Sequence, residues 1–351
     1  MKKIYVALLV IAAVIMGAVF HAQINKAGSF LLSSSSTLFA NTTDASKKKK
    51  DNSVTIIKSK ENSKENVQTG EYKFPDFYRG IYLNISSARN FYRLKRFVRL
   101  AKKSYINAMV LDVQTHRYAK CVIPKKYVEY VKKNGIHPIA RIVVFPAGLA
   151  YFPVSKRLIQ SKLDIAESAC LNGFKEIQFD YIRFNDSNRL RHLSLPQRYA
   201  FIEGFIRKAK NHLKKYNIKI AADVFGRIPL NKNDLIGQRM EGLDKVCDII
   251  CPMAYPSHYT WSRKLQYNPY YTVLKTSKMA NKRTKNAQIV SWIQGFRMRL
   301  GPVPFPKYIR DQIKACHDAK IRGFIIWNAR QLYHVPFKVT KDYYSKRLNK
   351  L

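Results

Sequence analysis

The chain has 351 residues, of which 46% are hydrophobic and 13% aromatic, enough to bury one large core or two smaller ones. Its 64 Lys and Arg face only 22 Asp and Glu, a formal charge of +42, and just +6 of this falls in residues 1–70, so the rest of the chain is itself basic. Such a chain is drawn to polyanions, whether acidic glycans, anionic lipid surfaces or nucleic acid, while its five cysteines show no zinc-type spacing and read as buried free thiols.

Lys2-Lys3 precede an uncharged apolar run from Ile4 to Phe20, the form of an export signal. The run is long for a signal core, and Phe20-His21-Ala22 is a poor cleavage site, so residues 1–24 fit a cleaved peptide or a membrane anchor through residues 4–20. Residues 25–72 are rich in Ser, Lys, Asn and Thr, with runs at Ser33–Ser36 and Lys47–Lys50. Such a stretch cannot bury a core, and a disordered linker is expected.

From Arg79 onward a regular beat follows. Strand-like apolar runs fall at 79–85, 108–114, 138–144, 176–182, 219–225, 248–254, 288–294 and 323–329. Helical spacing lies between them, as in Phe91, Leu94, Phe97, Val98, Ala101 and in Ala200, Phe201, Phe205, Ala209, Leu213. Eight strands alternating with helices predict an α/β fold, a (β/α)8 TIM barrel over residues 73–351. An open doubly wound sheet fits less well, because no Gly-rich turn follows the first strand and no P-loop is present.

Three strands end on an acid: Asp112, Asp180 and Asp223. The period of two puts Val110 and Asp112 on one face, as it does Gln178 with Asp180 and Ala221 with Asp223. In the same reading Ile177, Phe179 and Tyr181 share the opposite face of the fourth strand. Arg141 sits on the strand between two of these acids. Three carboxylates and an arginine at the C-terminal end of a barrel shift one another's protonation, as two-carboxylate glycoside hydrolysis requires. An ion-paired network without chemistry is the alternative.

Further candidates for binding are Tyr181 and Arg183 beyond the fourth strand. With them come Tyr255, His258, Trp261, Trp292, Gln294, Trp327 and Asn328 at the later strand ends. Aromatic rings suit the C–H faces of sugars, and amides suit their hydroxyls. The histidines lack the spacing of a catalytic metal site, His137 precedes its strand, and no Gly-x-Ser-x-Gly elbow is present. No metal or cofactor is expected, and no nucleic-acid-binding motif is found.

Several segments resemble a known bacterial family. They are Arg79-Gly-Ile-Tyr, Asn107-Ala-Met-Val-Leu-Asp-Val, Pro138-Ile-Ala-Arg-Ile-Val-Val-Phe and Glu176-Ile-Gln-Phe-Asp-Tyr-Ile-Arg-Phe, followed by Ala222-Asp-Val-Phe-Gly, Ile236-Gly-Gln, Cys251-Pro-Met-Ala-Tyr-Pro-Ser-His-Tyr and Trp327-Asn-Ala. Together they resemble a glycosyl-hydrolase-like family classed as a domain of unknown function, distantly similar to α-amylase-like glycosidases. The resemblance runs from Arg79 to Tyr333. It implies a (β/α)8 barrel with Asp180 as the first catalytic carboxylate and Asp223 as the next. Two stretches depart from the family pattern: Gln114-Thr-His-Arg-Tyr after Asp112, and the short segment Phe145 to Ser155. Both lie where substrate contacts form.

The reading that unites these features is an exported glycoside hydrolase acting on a cell-envelope or extracellular glycan, with an anionic glycan suited to the charge. The alternative is a non-catalytic glycan-binding barrel tethered in the envelope.

Overall fold

A computed structural model describes residues 72–348, His116 excepted. The expected export segment lies outside the described residues, as does the expected linker except Tyr72. Among the described residues no helix is long and apolar enough to cross a membrane.

Eight parallel strands close into a barrel in sequence order. They are β1 (Tyr78–Leu83), β2 (Ala108–Asp112), β3 (His137–Val143), β4 (Glu176–Asp180), β5 (Lys219–Phe225), β6 (Ile249–Met253), β7 (Gln288–Gln294) and β8 (Gly323–Trp327). Each matches one of the eight expected runs. The helices that follow them are α1 (Phe91–Lys103), α2 (Lys125–Lys133), α3 (Lys156–Leu171), α4 (Leu195–Leu213), α5 (Met240–Leu243), α6 (Pro269–Lys282), α7 (Phe305–Asp318) and α8 (His334–Leu348).

Local sequence starts these helices. Asn90, Ser155 and Asn268 accept hydrogen bonds from the first-turn backbone of α1, α3 and α6. Ser194 and Gln197 form a reciprocal cap on α4. The apolar spacing then selects the face: α1 buries Leu94, Val98 and Ala101, and α4 buries Phe205, Ala209 and Leu213, while Ala200 is exposed.

Two cores result. One fills the space between strands and helices, with Met109, Leu111, Ile177, Phe179 and Val224 among its members. The other is the barrel interior, where Val110, Ile139, Ala221, Ile249, Val290 and Ile325 meet from successive strands. Alternation along each strand assigns side chains to one core or the other.

A polar floor closes the N-terminal end of the barrel. Glu176, 1% exposed, accepts from the Tyr78 hydroxyl at 2.8 Å and pairs with His137 Nε2 at 2.9 Å. The other ring nitrogen of His137 meets the Tyr72 hydroxyl at 2.7 Å. His137 therefore lies at the end remote from Asp180, as its place before the strand predicts. Tyr72, expected as the last linker residue, is seated on the barrel. A buried carboxylate that loses a donor keeps its desolvation penalty. Tyr78→Phe should therefore lower the free energy of unfolding by about 1.5–3 kcal/mol, read from urea denaturation.

Candidate active site

The C-terminal rim is organised by Arg141. From β3, its Nη1 reaches Asp112 Oδ1 at 2.5 Å, and its Nη2 reaches Asp180 Oδ2 at 2.5 Å, with Nε 3.1 Å from the same oxygen. The register explains the meeting, since Asp112 pairs with Arg141 across β2 and β3, while Val143 pairs with Asp180 across β3 and β4. Tyr82 on β1 donates to the second oxygen of Asp112 at 2.5 Å. The guanidinium lies 5.5 Å from the Tyr82 ring and 5.3 Å from the Trp327 ring. Burial opposes the charge of Arg141, yet Asp180 and Asp112 outweigh it and hold the pKa well above the ordinary arginine value.

Asp180 closes β4, and the next residue breaks the alternation. Tyr181 has φ 55°, a left-handed conformation that is costly for a side chain of this size. Its N–H donates to Asp180 Oδ1 at 2.6 Å. This turn corrects the expected parity: Tyr181, expected on the outer face with Ile177 and Phe179, lines the cavity, and Ile182 is buried in the outer core. Strand character ends at Asp180 because the reversed φ takes the chain out of the extended region.

Asp223 lies beneath the cavity. It is 1% exposed, and its Oδ1 accepts from Gln178 Nε2 at 2.8 Å and from Trp292 Nε1 at 2.7 Å. Its Oδ2 is buried without a partner among the described residues. Burial, and then the charge of Asp180, push its pKa well above the usual carboxylate range. A neutral carboxyl fits these contacts, with both donors on one oxygen and the proton on the other.

The cavity above has a volume of about 350 Å³. Asp180 is the carboxylate on its wall, and Arg141, Tyr181, Arg183, Tyr255, His258, Trp261, Trp292 and Trp327 join it, as the sequence places them. Trp292 stands edge-on to Trp327, with ring centroids 5.4 Å apart. Trp261 is 59% exposed at the mouth. Gly226 is part of the wall, where a Cβ would strike the Tyr259 hydroxyl and the Met253 carbonyl.

Two expected binding amides are used elsewhere. Gln294 donates to the carbonyls of Phe296 and Met298 and accepts from Ser257 N. Asn328 donates to the carbonyl of Gly295 at 2.7 Å. Both are buried, and neither lines the cavity. Backbone turns at the ends of β7 and β8 need those donors, so the amides support loops rather than meeting a ligand. Arg183 lines the cavity but is held away from Asp180. Its Nη1 donates to the Phe184 carbonyl at 2.9 Å and lies 3.5 Å from Asp186, so the close cation of Asp180 is Arg141.

Sequence reasoning missed Tyr82, Arg227, Met253 and Tyr259. Tyr82 was accessible through parity, because it shares a face with Tyr78 and Gly80. Met253 was accessible in the same way, since it shares a face with Ile249 and Cys251, while Arg227 and Tyr259 stand beyond the ends of β5 and β6.

Residues 148–333 match the family model described as "Putative glycosyl hydrolase domain". This is more than half of the chain, and the chain belongs to that family. Among solved structures it is similar to the PgaB (BpsB) glycoside hydrolase domain from Bordetella bronchiseptica, with 11% identity, a TM-score of 0.57 and coverage of 76% of this chain and 98% of that one. The spore cortex-lytic enzyme SleL of Bacillus megaterium matches at 11% identity and TM-score 0.52, covering 77% of this chain and 75% of that one. The endo-β-1,4-mannanase of Thermotoga petrophila gives 11% identity and TM-score 0.52 over 77% and 76%. At these identities the structural likenesses establish the barrel. None of the curated proteins compared matches the chain.

The raised pKa of Asp223 has a consequence for stability. Its folded pKa is raised, so the folded state holds a proton that the unfolded chain releases above about pH 4. Stability from this site therefore falls as pH rises from the unfolded aspartate value toward the raised one. Asp223→Asn removes the titration and keeps a donor at the Oδ2 position. Its unfolding midpoint in urea should gain on the parent's between pH 4 and neutrality, and a constant difference would contradict a neutral Asp223.

Proposed function

We propose that the protein is an exported glycoside hydrolase that cleaves a cell-envelope or extracellular glycan in the cavity over Asp180. The observation that carries this reading is one carboxylate on an aromatic-lined wall, with a second carboxyl buried on the adjacent strand, its pKa raised by burial and by the charge of Asp180. In an oxocarbenium-like mechanism, the ionised Asp180 serves as nucleophile or charge stabiliser, and the protonated Asp223 serves as general acid. Asp112 holds Arg141, and Arg141 orients Asp180 and the sugar hydroxyls. Asp223 lies below the wall, so the saccharide reaches its proton only past Trp292. Tyr181, Trp261 and Trp327 offer faces for sugar rings. Amino-sugar polymers, peptidoglycan included, are the first substrates to screen, because this fold also carries a spore cortex-lytic enzyme. Within that group the basic balance of the chain suits a polymer that carries carboxylates, as peptidoglycan does, over a neutral amino-sugar chain.

A second reading, a glycan-binding barrel without turnover, is favoured by the burial of Asp223 and by the double ion pair that fixes Asp180 through Arg141. Asp180→Asn separates the two. The substitution keeps shape, so the protein should stay folded while glycan turnover falls about 10²-fold or more. Equal turnover in parent and variant would remove Asp180 from the mechanism. A parent that hydrolyses nothing yet binds glycan, with binding lost in Trp261→Ala, would establish the second reading.

Export rests on Lys2-Lys3 and the Ile4–Phe20 run. In this proposal residues 4–20 take the barrel across the cytoplasmic membrane, cleaved or retained as an anchor, with residues 25–72 as the tether. A reporter enzyme that functions only outside the cytoplasm, fused at the C-terminus, should be active. Activity confined to a cytoplasm-only reporter would refute export.

A further inference from the structure

On the flank of the barrel, away from the rim, α1 and α2 enclose a groove of about 550 Å³. Its lining is Lys95, Arg96, Arg99, Lys102 and Lys103 of α1, with exposed Tyr92 and, from the α2 side, Tyr130 and Asn134. Helix α1 carries six basic residues in thirteen and no acid. Among the described residues none of the six forms an ion pair. On α7 and α8, by contrast, Lys307 and Lys338 are paired one turn away with Asp311 and Asp342. The acid on the facing helix is Glu129, and it lies 4.0 Å from Lys125 of its own helix. Like charges gathered without counter-ions cost stability through mutual repulsion. Such a cluster is relieved when an anion occupies it.

The shape narrows the class of anion. Tyr92, Arg96, Arg99 and Lys103 recur at helical spacing and form one stripe about 16 Å long at 1.5 Å per residue. A single concave row fits one flexible strand, whereas a bilayer surface is flat and a nucleic-acid duplex presents two phosphate rows. The tyrosines supply what a carbohydrate needs. Tyr92 is 78% exposed beside the cations, and the Tyr130 ring is held edge-on against Phe91 at 5.3 Å. Successive cations along the stripe stand about one helical turn apart, roughly 5 Å, a step comparable to one sugar ring.

We propose that the groove between α1 and α2 binds a linear anionic polysaccharide, a docking site separate from the cavity over Asp180. It rests on the local geometry and on membership of a glycan-processing family, and is independent of how Asp180 acts. Docking there would raise the local concentration of substrate chain at the rim through the linkage of two sites on one polymer.

The test uses the full-length chain and polygalacturonate as probe, with binding followed by calorimetry across a salt series. Affinity should fall steeply with salt. The triple variant Arg96→Gln, Arg99→Gln, Lys103→Gln should bind about tenfold or more weakly. Tyr92→Ala should weaken binding and keep the salt slope. The control is Lys275→Gln, Lys278→Gln, Lys282→Gln on α6, which removes the same charge from exposed positions outside the groove and should change affinity less than about twofold. All these residues are surface positions, and unchanged urea midpoints would show that folding is intact. Equal losses in both triple variants would overturn the proposal in favour of net charge alone. So would absence of binding, or groove-dependent binding that is tighter to phosphatidylglycerol vesicles or to a single-stranded oligonucleotide. Failure to hydrolyse any glycan would bear on Asp180 and leave this result standing.

Discussion

The rim of this barrel depends on one guanidinium. Arg141 bonds to Asp112 with one nitrogen and to Asp180 with two others; Arg141 and Asp180 are buried, and Asp112 is part-buried. Removing a partner from such a buried group leaves an uncompensated charge and costs about 3–5 kcal/mol. The planar fork of arginine is what permits the bridge, since a lysine ammonium could not hold two carboxylates with fixed directions. Through this bridge β2, β3 and β4 acquire a common register at the rim, and Asp180 is fixed with one oxygen committed and the other turned to its neighbour's N–H.

The same charges set the chemistry of Asp223. It is on the adjacent strand, buried under Trp292, and cannot share Arg141 directly. Desolvation and the negative charge of Asp180 then raise its pKa well above the usual carboxylate range. Two carboxyl groups on neighbouring strands thus stand in different surroundings, because Asp180 has the cation and Asp223 has only neutral donors, Gln178 and Trp292. Environments that drive two acids apart in this way provide an acid and a base at one pH.

The barrel separates these demands by depth. The floor holds a satisfied cluster of Tyr72, Tyr78, His137 and Glu176, with an apolar middle layer above it and the charged rim at the top. Burial of the rim among low-polarity neighbours strengthens its electrostatic interactions. The flank between α1 and α2 carries a different polar surface, open to solvent and unneutralised, so the molecule presents an acid-bearing cavity and a purely cationic groove on separate faces.

How much of this is legible in the chain follows from the range of each interaction. Strand and helix periodicity is local, and the alternation of eight apolar runs with amphipathic spacing determined the barrel and the strands on which Asp112, Arg141, Asp180 and Asp223 stand. Parity along a strand is local too, so the sequence placed these four side chains in the interior. Local rules failed where the backbone left the extended state. Tyr181, with its reversed φ, entered the cavity and sent Ile182 outward. The fates of Gln294 and Asn328 were decided by which loop carbonyls and amides needed partners, and those loops meet only after closure. Protonation was likewise beyond the sequence. Residues 141, 180, 223 and 292 are far apart in the chain, and only tertiary structure brings a guanidinium to one carboxylate and an indole N–H to the other.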